Sequence, residues 1–297
     1  MLTMPKLKYL EEINPNTPIL IAGQTASGKS HLALQVAVQH GGTIINADAS
    51  QVYNNWRILT ARPSIEDEAK INHKLYGHID GVTEYSVGTW IKEIRETLLS
   101  NSRPIIVGGT GLYFSALTSG LVDIPEIPEI IHKEATSKIA KNGFESLVRE
   151  IDEETAEKID KNNPMRVQRA WEVLMSTGRG LNSWHRETPE PTLDLNKCRA
   201  ILVDGEVSLI NDRINKRFDQ MIEQGLIQEA KNNLVTWNKM NPSSKAIGAQ
   251  ELIDYLNNKI SIDELREQIL IATRQYAKRQ RTWFRSKMKS WERYIID

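Results

Sequence analysis

The sequence predicts an α/β protein, a mostly parallel sheet flanked by helices, with an all-α insertion domain. Three observations carry that expectation. Short runs rich in Ile, Leu and Val alternate with segments of helical period, the pattern left by parallel strands joined through crossover helices. Two of those apolar runs lead directly into glycine-containing turns that open helices. Two proline-bearing junctions, Ile124–Pro128 and Thr188–Pro191, enclose a stretch that is helical in period throughout. Pro-rich junctions mark crossings between units. Residues 1–124 and 192–297 are therefore expected to form one core and 125–191 a helical insertion. The alternative is that those helices simply cover the sheet.

The elements follow in order. Pro18–Ala22 is a short apolar run suited to a buried parallel strand. From Gly28 to Gln39, Leu32, Ala33, Val36 and Ala37 share a helical face. Thr43–Ala47 is a second strand running into Asp48. Val87–Leu99 reads as a helix, Pro104–Val107 as a strand running into Gly108-Gly109-Thr110, and Ala200–Val203 as a fourth strand ahead of Asp204. His73 and His78 fall in what reads as a polar loop and receive no role.

Bulk properties exclude several classes. With 297 residues, 40% of them hydrophobic, the chain can bury a sizeable core without staples. Cys198 is the only cysteine, which excludes a disulfide framework or a thiolate metal site and points to a reducing, cytoplasmic setting. No apolar run approaches a membrane span. The first seventeen residues lack an apolar signal core and contain acids, so no targeting signal is expected. Lys plus Arg equals Asp plus Glu at 38 each. Net charge alone thus argues against indiscriminate nucleic-acid binding, but its distribution does not. Between Arg274 and Arg293, eight bases face one acid, Glu292, on an expected C-terminal helix. Such a segment can carry phosphate contacts or be an ordinary solvated face.

Gly23-Gln24-Thr25-Ala26-Ser27-Gly28-Lys29-Ser30 fits G-x-x-x-x-G-K-S/T after a strand and before a helix, the context that the mechanism demands. Its backbone N–H groups, the helix N-terminus and Lys29 suit a polyphosphate, and Ser30 suits Mg²⁺ bridging phosphate oxygens. The motif specifies polyphosphate and leaves the nucleotide open; the core is expected to be P-loop NTPase-like. Asp48, at the end of the second strand, should lie on the same edge of the sheet. It can serve as Mg²⁺ ligand, general base or helix cap. Gly108-Gly109-Thr110-Gly111-Leu112-Tyr113 places a Thr110 hydroxyl beside that edge. Arg166 and Arg169, three apart on one helical face, can grip a nucleic-acid backbone or form a solvated pair. The seven tryptophans are scattered and expected to be mostly core or anchor residues.

Taken together, these segments resemble the tRNA dimethylallyltransferase (tRNA isopentenyltransferase) family in its short bacterial form. The resemblance spans Ile19 to about Arg285. It rests on the phosphate loop with Thr25-Ala26-Ser27, on Asp48, Gln51 and Tyr53 in a D-S-x-Q-x-Y pattern, and on Ala61 and Pro63. It also rests on Gly108–Tyr113 as G-G-T-G-L-Y and on Thr273–Gln280, which carries R-Q-x-A-K-R-Q. What it implies is transfer of a dimethylallyl group from dimethylallyl diphosphate to N6 of the adenosine 3′-adjacent to the anticodon. Catalysis would fall to Asp48 as base, with Lys29 and Thr110. The diphosphate would bind Gly23 to Ser30 and Arg274, with Mg²⁺ on Ser30. The tRNA anticodon stem-loop would meet Asp48, Ala49, Ser50, Gln51, Thr110, His132, Met165, Arg166, Arg169, Lys278 and Arg279. A cytoplasmic monomer with no membrane association is the expectation. Three positions depart from the pattern. Ala49 stands where the family has Ser, Met165 where it has Gln, and His132 where an Arg often contacts tRNA.

Three rival readings stay open at this stage. A small-molecule kinase would use the same loop for ATP, with Asp48 on Mg²⁺ or as base; it leaves the Thr273–Gln280 helix and the insertion without a role. A prenyltransferase acting on free adenine nucleotides would not need Arg166 and Arg169. A non-catalytic RNA-binding protein would not need Lys29, Ser30 and Asp48 intact.

Overall fold

The structure is a computed structural model describing residues 14, 16–100 and 102–296, and the chain divides into two compact units. Residues 1–13, part of the stretch read for a targeting signal, lie outside the described residues.

The first unit comprises Met1–Thr118 and Thr192–Asp297, the second Ser119–Pro191. In chain order the elements are β1 (Ile19–Gly23), α1 (Lys29–His40), β2 (Thr43–Asn46), α2 (Ile65–Lys70), β3 (His73–Lys74), α3 (Val87–Leu98), β4 (Pro104–Gly108) and α4 (Gly111–Ser119). The second unit holds α5 (Glu129–Asn142), α6 (Glu145–Val148), α7 (Glu153–Lys158), α8 (Pro164–Thr177) and α9 (Leu181–His185). The chain returns through β5 (Arg199–Gly205), α10 (Val207–Glu223), α11 (Leu226–Leu234), α12 (Ala249–Leu256), α13 (Ile262–Lys287) and β6 (Glu292–Ile296).

The strands form one sheet in the order β3-β2-β4-β1-β5-β6. Every pairing is parallel, with Ile21 facing Val107 on one side and Ile201 on the other. All five residues of β1 are buried, which is why it reads as an unbroken apolar run rather than an alternating one. Its side chains pack against Leu32 and Val36 of α1 and Ile214 and Phe218 of α10, each contributing roughly 1.5–3 kcal/mol of burial. After β1 the chain passes to β2, leaves a gap that β4 fills, and crosses to β5 on the opposite side. The carboxyl end of β1 is therefore a topological switch point, where α/β sheets bind ligands.

Among the described residues, six strands replace the four that the sequence announces. β3 has two residues, too few for a pattern, and it takes His73 out of the expected loop. β6 takes Glu292 and Arg293 out of the expected C-terminal helix, which ends at Lys287. Glu292, Arg293 and Ile295 are exposed on this edge strand, so no apolar run marks it. Four tryptophans, Trp56, Trp90, Trp171 and Trp291, are buried, as expected of core residues.

The second unit has its own core of Ala135, Leu147, Ile151, Val167, Ala170 and Trp171. In α8, Asn163 caps the N-terminus, Pro164 occupies the first turn, and Gly178 ends the helix in a left-handed conformation. Val167, Ala170 and Trp171 face inward, leaving Met165, Arg166 and Arg169 exposed. Neither arginine forms an ion pair with a described residue. His132 is half committed: its Nδ1 lies 2.7 Å from Glu172 Oε1, which also accepts from Gln168 Nε2. Among the described residues, no helix is long and apolar enough to cross a membrane.

Candidate active site

The phosphate loop leaves β1 at Gly23 and enters α1 at Lys29. Gly28 has φ +85°, a left-handed conformation that glycine adopts without penalty. No side chain caps α1, so its first N–H groups face outward as an anion seat. Ala26 also lies at φ +61°, which costs about 1–2 kcal/mol for a residue with a Cβ and marks a loop held by its surroundings.

Those surroundings come from α10 and α13. Arg217 Nη1 donates to Thr25 Oγ1 at 3.2 Å, and Arg281 Nη1 donates to Gln24 Oε1 at 3.3 Å. Gln280 accepts from the Thr25 backbone N–H at 2.8 Å and donates to Gly109 O at 2.9 Å. Arg213 stands beside Gly28, its Nη1 3.6 Å from where a Cβ would sit. Lys29 is 9% exposed, and its Nζ donates to Gln24 O at 3.4 Å. Burial lowers the Lys29 ammonium to a pKa of about 8; Asp48 opposes that fall and Arg217 reinforces it. Burial likewise lowers the pKa of Arg217. Lys29 and Arg217 thus bring two positive charges to one wall of the site, a repulsion that an incoming diphosphate relieves.

Asp48 is aimed by two successive side-chain turns. Its N–H donates to Asn46 Oδ1 at 2.8 Å, and its own Oδ1 accepts from Ser50 N at 3.1 Å and Ser50 Oγ at 2.7 Å. Asn46 is fully buried and also donates to Asp48 O and Leu75 O, which fixes the turn from behind. No helix starts here, so helix capping drops out as the reason for Asp48. Its Oδ2 accepts nothing from the described residues; it lies 3.0 Å from where a Cβ on Gly109 would stand. Thr110 braces the same turn, its Oγ1 accepting from Ala49 N at 2.9 Å.

One cavity of about 440 Å³ connects these parts. Thr25, Lys29, Asp48, Ala49, Ser50, Gln51 and Arg217 line it, and so does Arg279. Beyond Arg217 its wall becomes apolar, with Ile214, Phe218, Met221, Leu226, Ile269 and Leu270. The site thus offers an anion seat, a carboxylate with one oxygen to spare, and a greasy recess. That combination suits a substrate with a diphosphate head, a hydrocarbon tail and a partner nucleophile.

The remaining expected residues fall elsewhere. Thr110, Arg274 and Lys278 do not line the cavity. Arg274 Nη2 donates to Asn215 Oδ1 at 2.8 Å, while its Nε is buried without a partner among the described residues. Lys278 is exposed, as are Arg279 and Ser30. Gln51 commits its amide N–H groups to Thr60 O and Ala61 O, at 2.8 and 3.1 Å, leaving Oε1 for other work. His132, Met165, Arg166 and Arg169 belong to the second unit. Sequence reasoning missed Arg217. The available signal was a charge on the buried face of α10, among Ile210, Ile214, Phe218 and Met221.

Comparison with known proteins now gives this arrangement its relatives. Residues 51–287 match the family described as IPP transferase. A protein of Cereibacter sphaeroides named tRNA dimethylallyltransferase is 48% identical over 285 residues, covering 96% of this chain and 91% of the relative. One of the same name from Roseobacter denitrificans is 50% identical over 281 residues, covering 95% and 99%. The crystal structure of the full-length tRNA isopentenylpyrophosphate transferase of Bacillus halodurans is similar at a TM-score of 0.66 and 31% identity, covering 95% of this chain and 91% of that one. A eukaryotic dimethylallyltransferase described as acting on tRNA superposes at a TM-score of 0.80 and 26% identity, covering 94% and 73%. The chain belongs to the IPP transferase family.

Proposed function

We propose that this transferase moves the dimethylallyl group of dimethylallyl diphosphate to N6 of the adenosine 3′-adjacent to the tRNA anticodon, releasing pyrophosphate. The observation that carries the reading is the single cavity shared by Lys29, Arg217, Asp48 and the apolar wall of α10 and α13.

The chemistry follows from that geometry. The diphosphate sits against the phosphate loop, its tail among Phe218, Met221 and Leu226. The adenine, flipped out of an unpaired loop at a cost of about a few kcal/mol, brings N6 to Asp48. The N6 lone pair forms a bond to the first carbon of the prenyl group while that carbon's bond to oxygen breaks. The bonding electrons leave with pyrophosphate, and the N6 proton passes to Asp48 Oδ2. Lys29, Arg217 and the α1 N–H groups stabilise the charge that grows on the leaving group. Ala49 offers no hydroxyl near the base, so Gln51 Oε1 and Ser50 are the polar groups left to hold its edge. Thr110 acts by bracing the Asp48 turn.

The residues fit Mg²⁺. Ser30 is an exposed hydroxyl at the end of the loop, a hard oxygen donor that can share the ion with phosphate oxygens. Among the described residues, no cluster of three or more His, Cys, Asp or Glu forms a dedicated cage, so the substrate's own oxygens would complete the coordination. When bound, the ion neutralises charge on the diphosphate.

Arg166 and Arg169, exposed on α8 and free of ion pairs with described residues, would clamp the anticodon stem-loop, with Met165 and His132 beside them on the second unit. Lys278 and Arg279 would add phosphate contacts from α13. Replacing Arg166 and Arg169 together with Ala should weaken tRNA binding and lower its salt slope by about 2, read by filter binding across salt concentrations. An unchanged slope would remove the clamp. A cytoplasmic enzyme working as a monomer completes this reading.

Lys29 gives a pH signature. Its pKa of about 8 in the free protein rises when a diphosphate arrives, so binding takes up a proton only where free Lys29 is neutral. Donor affinity should therefore be flat below about pH 8 and fall above it, by up to about tenfold per pH unit. Calorimetry in buffers of different ionisation heat reads the proton uptake directly. Lys29→Arg, which keeps its charge, should flatten the profile.

A kinase would use the anion seat but leaves the apolar recess idle, and a transferase for free nucleotides leaves Arg166 and Arg169 idle. The deciding experiment combines protein, Mg²⁺, dimethylallyl diphosphate and unmodified tRNA, then digests the RNA. Mass spectrometry should show one adenosine heavier by a prenyl group. No gain with tRNA, or an equal gain with free adenine nucleotides, would overturn the proposal.

A further inference from the structure

The R-Q-x-A-K-R-Q segment ends on a residue to which the reaction gives no task. Gln280 lies on α13, 6% exposed, facing the phosphate loop and the Gly109 turn at once. Its Oε1 accepts from Thr25 N at 2.8 Å, and its Nε2 donates to Gly109 O at 2.9 Å. The amide orientation is fixed by its partners, because a backbone N–H can only donate and a carbonyl can only accept. A Cβ on Gly109 would stand 2.3 Å from Gln280 Nε2 and 3.0 Å from Asp48 Oδ2, so this glycine is squeezed between the amide and the carboxylate. One helical turn earlier on the same helix, Tyr276 lines the cavity beside this tie. Thr110, the residue after Gly109, accepts from Ala49 N, next to Asp48.

One route therefore leads from Gln280 toward Asp48, through the Gly109 backbone and on to Thr110, which accepts from Ala49 N. A second link runs to the phosphate loop through Thr25. We infer that Gln280 is a positioning residue that sets the separation between the pyrophosphate seat and the base. Both must address one carbon and one nitrogen in the same instant, and a misplacement of about 1 Å is enough to slow such a step by roughly 100-fold. Gln280 reaches neither reactant; it acts through backbone groups on either side of them. This rests on the transferase reading, but the tie itself can be measured without it.

The amide is uniquely suited, because it accepts and donates from adjacent atoms. Gln280→Glu keeps the acceptor for Thr25 N but, when ionised, loses the donor to Gly109 O. Gln280→Leu loses both. At neutral pH both variants should lower single-turnover transfer by about 10–100-fold with saturating donor and tRNA. As pH falls and the new carboxyl is protonated, its O–H can donate to Gly109 O. Gln280→Glu should then recover relative to wild type at the same pH, whereas Gln280→Leu should not. A residue that merely filled space would show no such acid recovery.

Amide hydrogen exchange separates the tie from the reaction. Thr25 N–H should lose protection in Gln280→Leu and keep it in Gln280→Glu, with the sheet amides protected in both. Unchanged protection of Thr25 in Gln280→Leu would overturn the tie. Wild-type transfer rates in that variant, or absence of acid recovery in Gln280→Glu, would overturn the positioning role. If wild-type protein fails to prenylate tRNA, the transferase reading falls, and the exchange data still decide whether Gln280 holds the loop.

Discussion

Replacing Asp48 with Asn is expected to slow prenyl transfer by about 10²–10⁴-fold, the range for loss of a positioned proton acceptor. The change is chosen for its shape. An Asn side chain keeps Oδ1, so the hydrogen bonds from Ser50 N and Ser50 Oγ survive and the turn stays folded. What is lost is Oδ2, the oxygen beside Gly109 that has no partner among the described residues. An amide there presents N–H groups to N6 and cannot take its proton. Donor binding should hold or tighten, because a negative charge near the diphosphate seat has gone. Single-turnover rates with prebound tRNA, alongside donor titration, separate the two effects. A full rate in this variant would show that N6 loses its proton elsewhere.

Arg217→Leu is expected to lower kcat/KM for the donor by about 10²–10³-fold, the usual loss for one preorganised group at a site of developing charge. The effect on stability should have the opposite sign or be negligible. Arg217 is a half-buried cation whose own charge is disfavoured by desolvation and which lowers the pKa of Lys29. Replacing it with an apolar side chain among Ile214, Phe218 and Met221 removes a desolvated charge from an apolar helix face. The Lys29 pKa should move back toward its ordinary value, carrying the pH break in donor affinity upward with it. Thermal unfolding and steady-state kinetics on the same preparation check both halves. A variant that unfolds early and keeps its turnover would reverse the assignment.

The central part of this molecule was legible because its constraints are local. Buried parallel strands must be apolar on both faces, so β1, β2, β4 and β5 announce themselves, and the phosphate loop is a contiguous run of eight residues. Asp48 was legible through its place after a strand, since all strand ends of a parallel sheet share an edge. The edge strands were not: β3 is too short to show a period, and β6 begins with two exposed charged residues and buries only its last, Ile296. Within the site, the residues that escaped reach it from distant sequence. Arg217 and Gln280 arrive from α10 and α13, roughly 190 and 255 residues after Thr25. Only the packing of those helices against the sheet reveals what they touch. Arg274 was legible as a motif residue but not in its setting: its Nη2 donates to Asn215 Oδ1 of α10, a partner that the motif does not show.

The most direct test is a crystal structure of the protein with tRNA and an unreactive thiodiphosphate analogue of the donor. The account predicts the diphosphate within hydrogen-bonding distance of Thr25, Lys29 and Arg217, the hydrocarbon tail against Phe218 and Met221, and N6 of the flipped adenine at Asp48 Oδ2. A diphosphate seated away from the phosphate loop, or an adenine whose N6 faces away from Asp48, would contradict it.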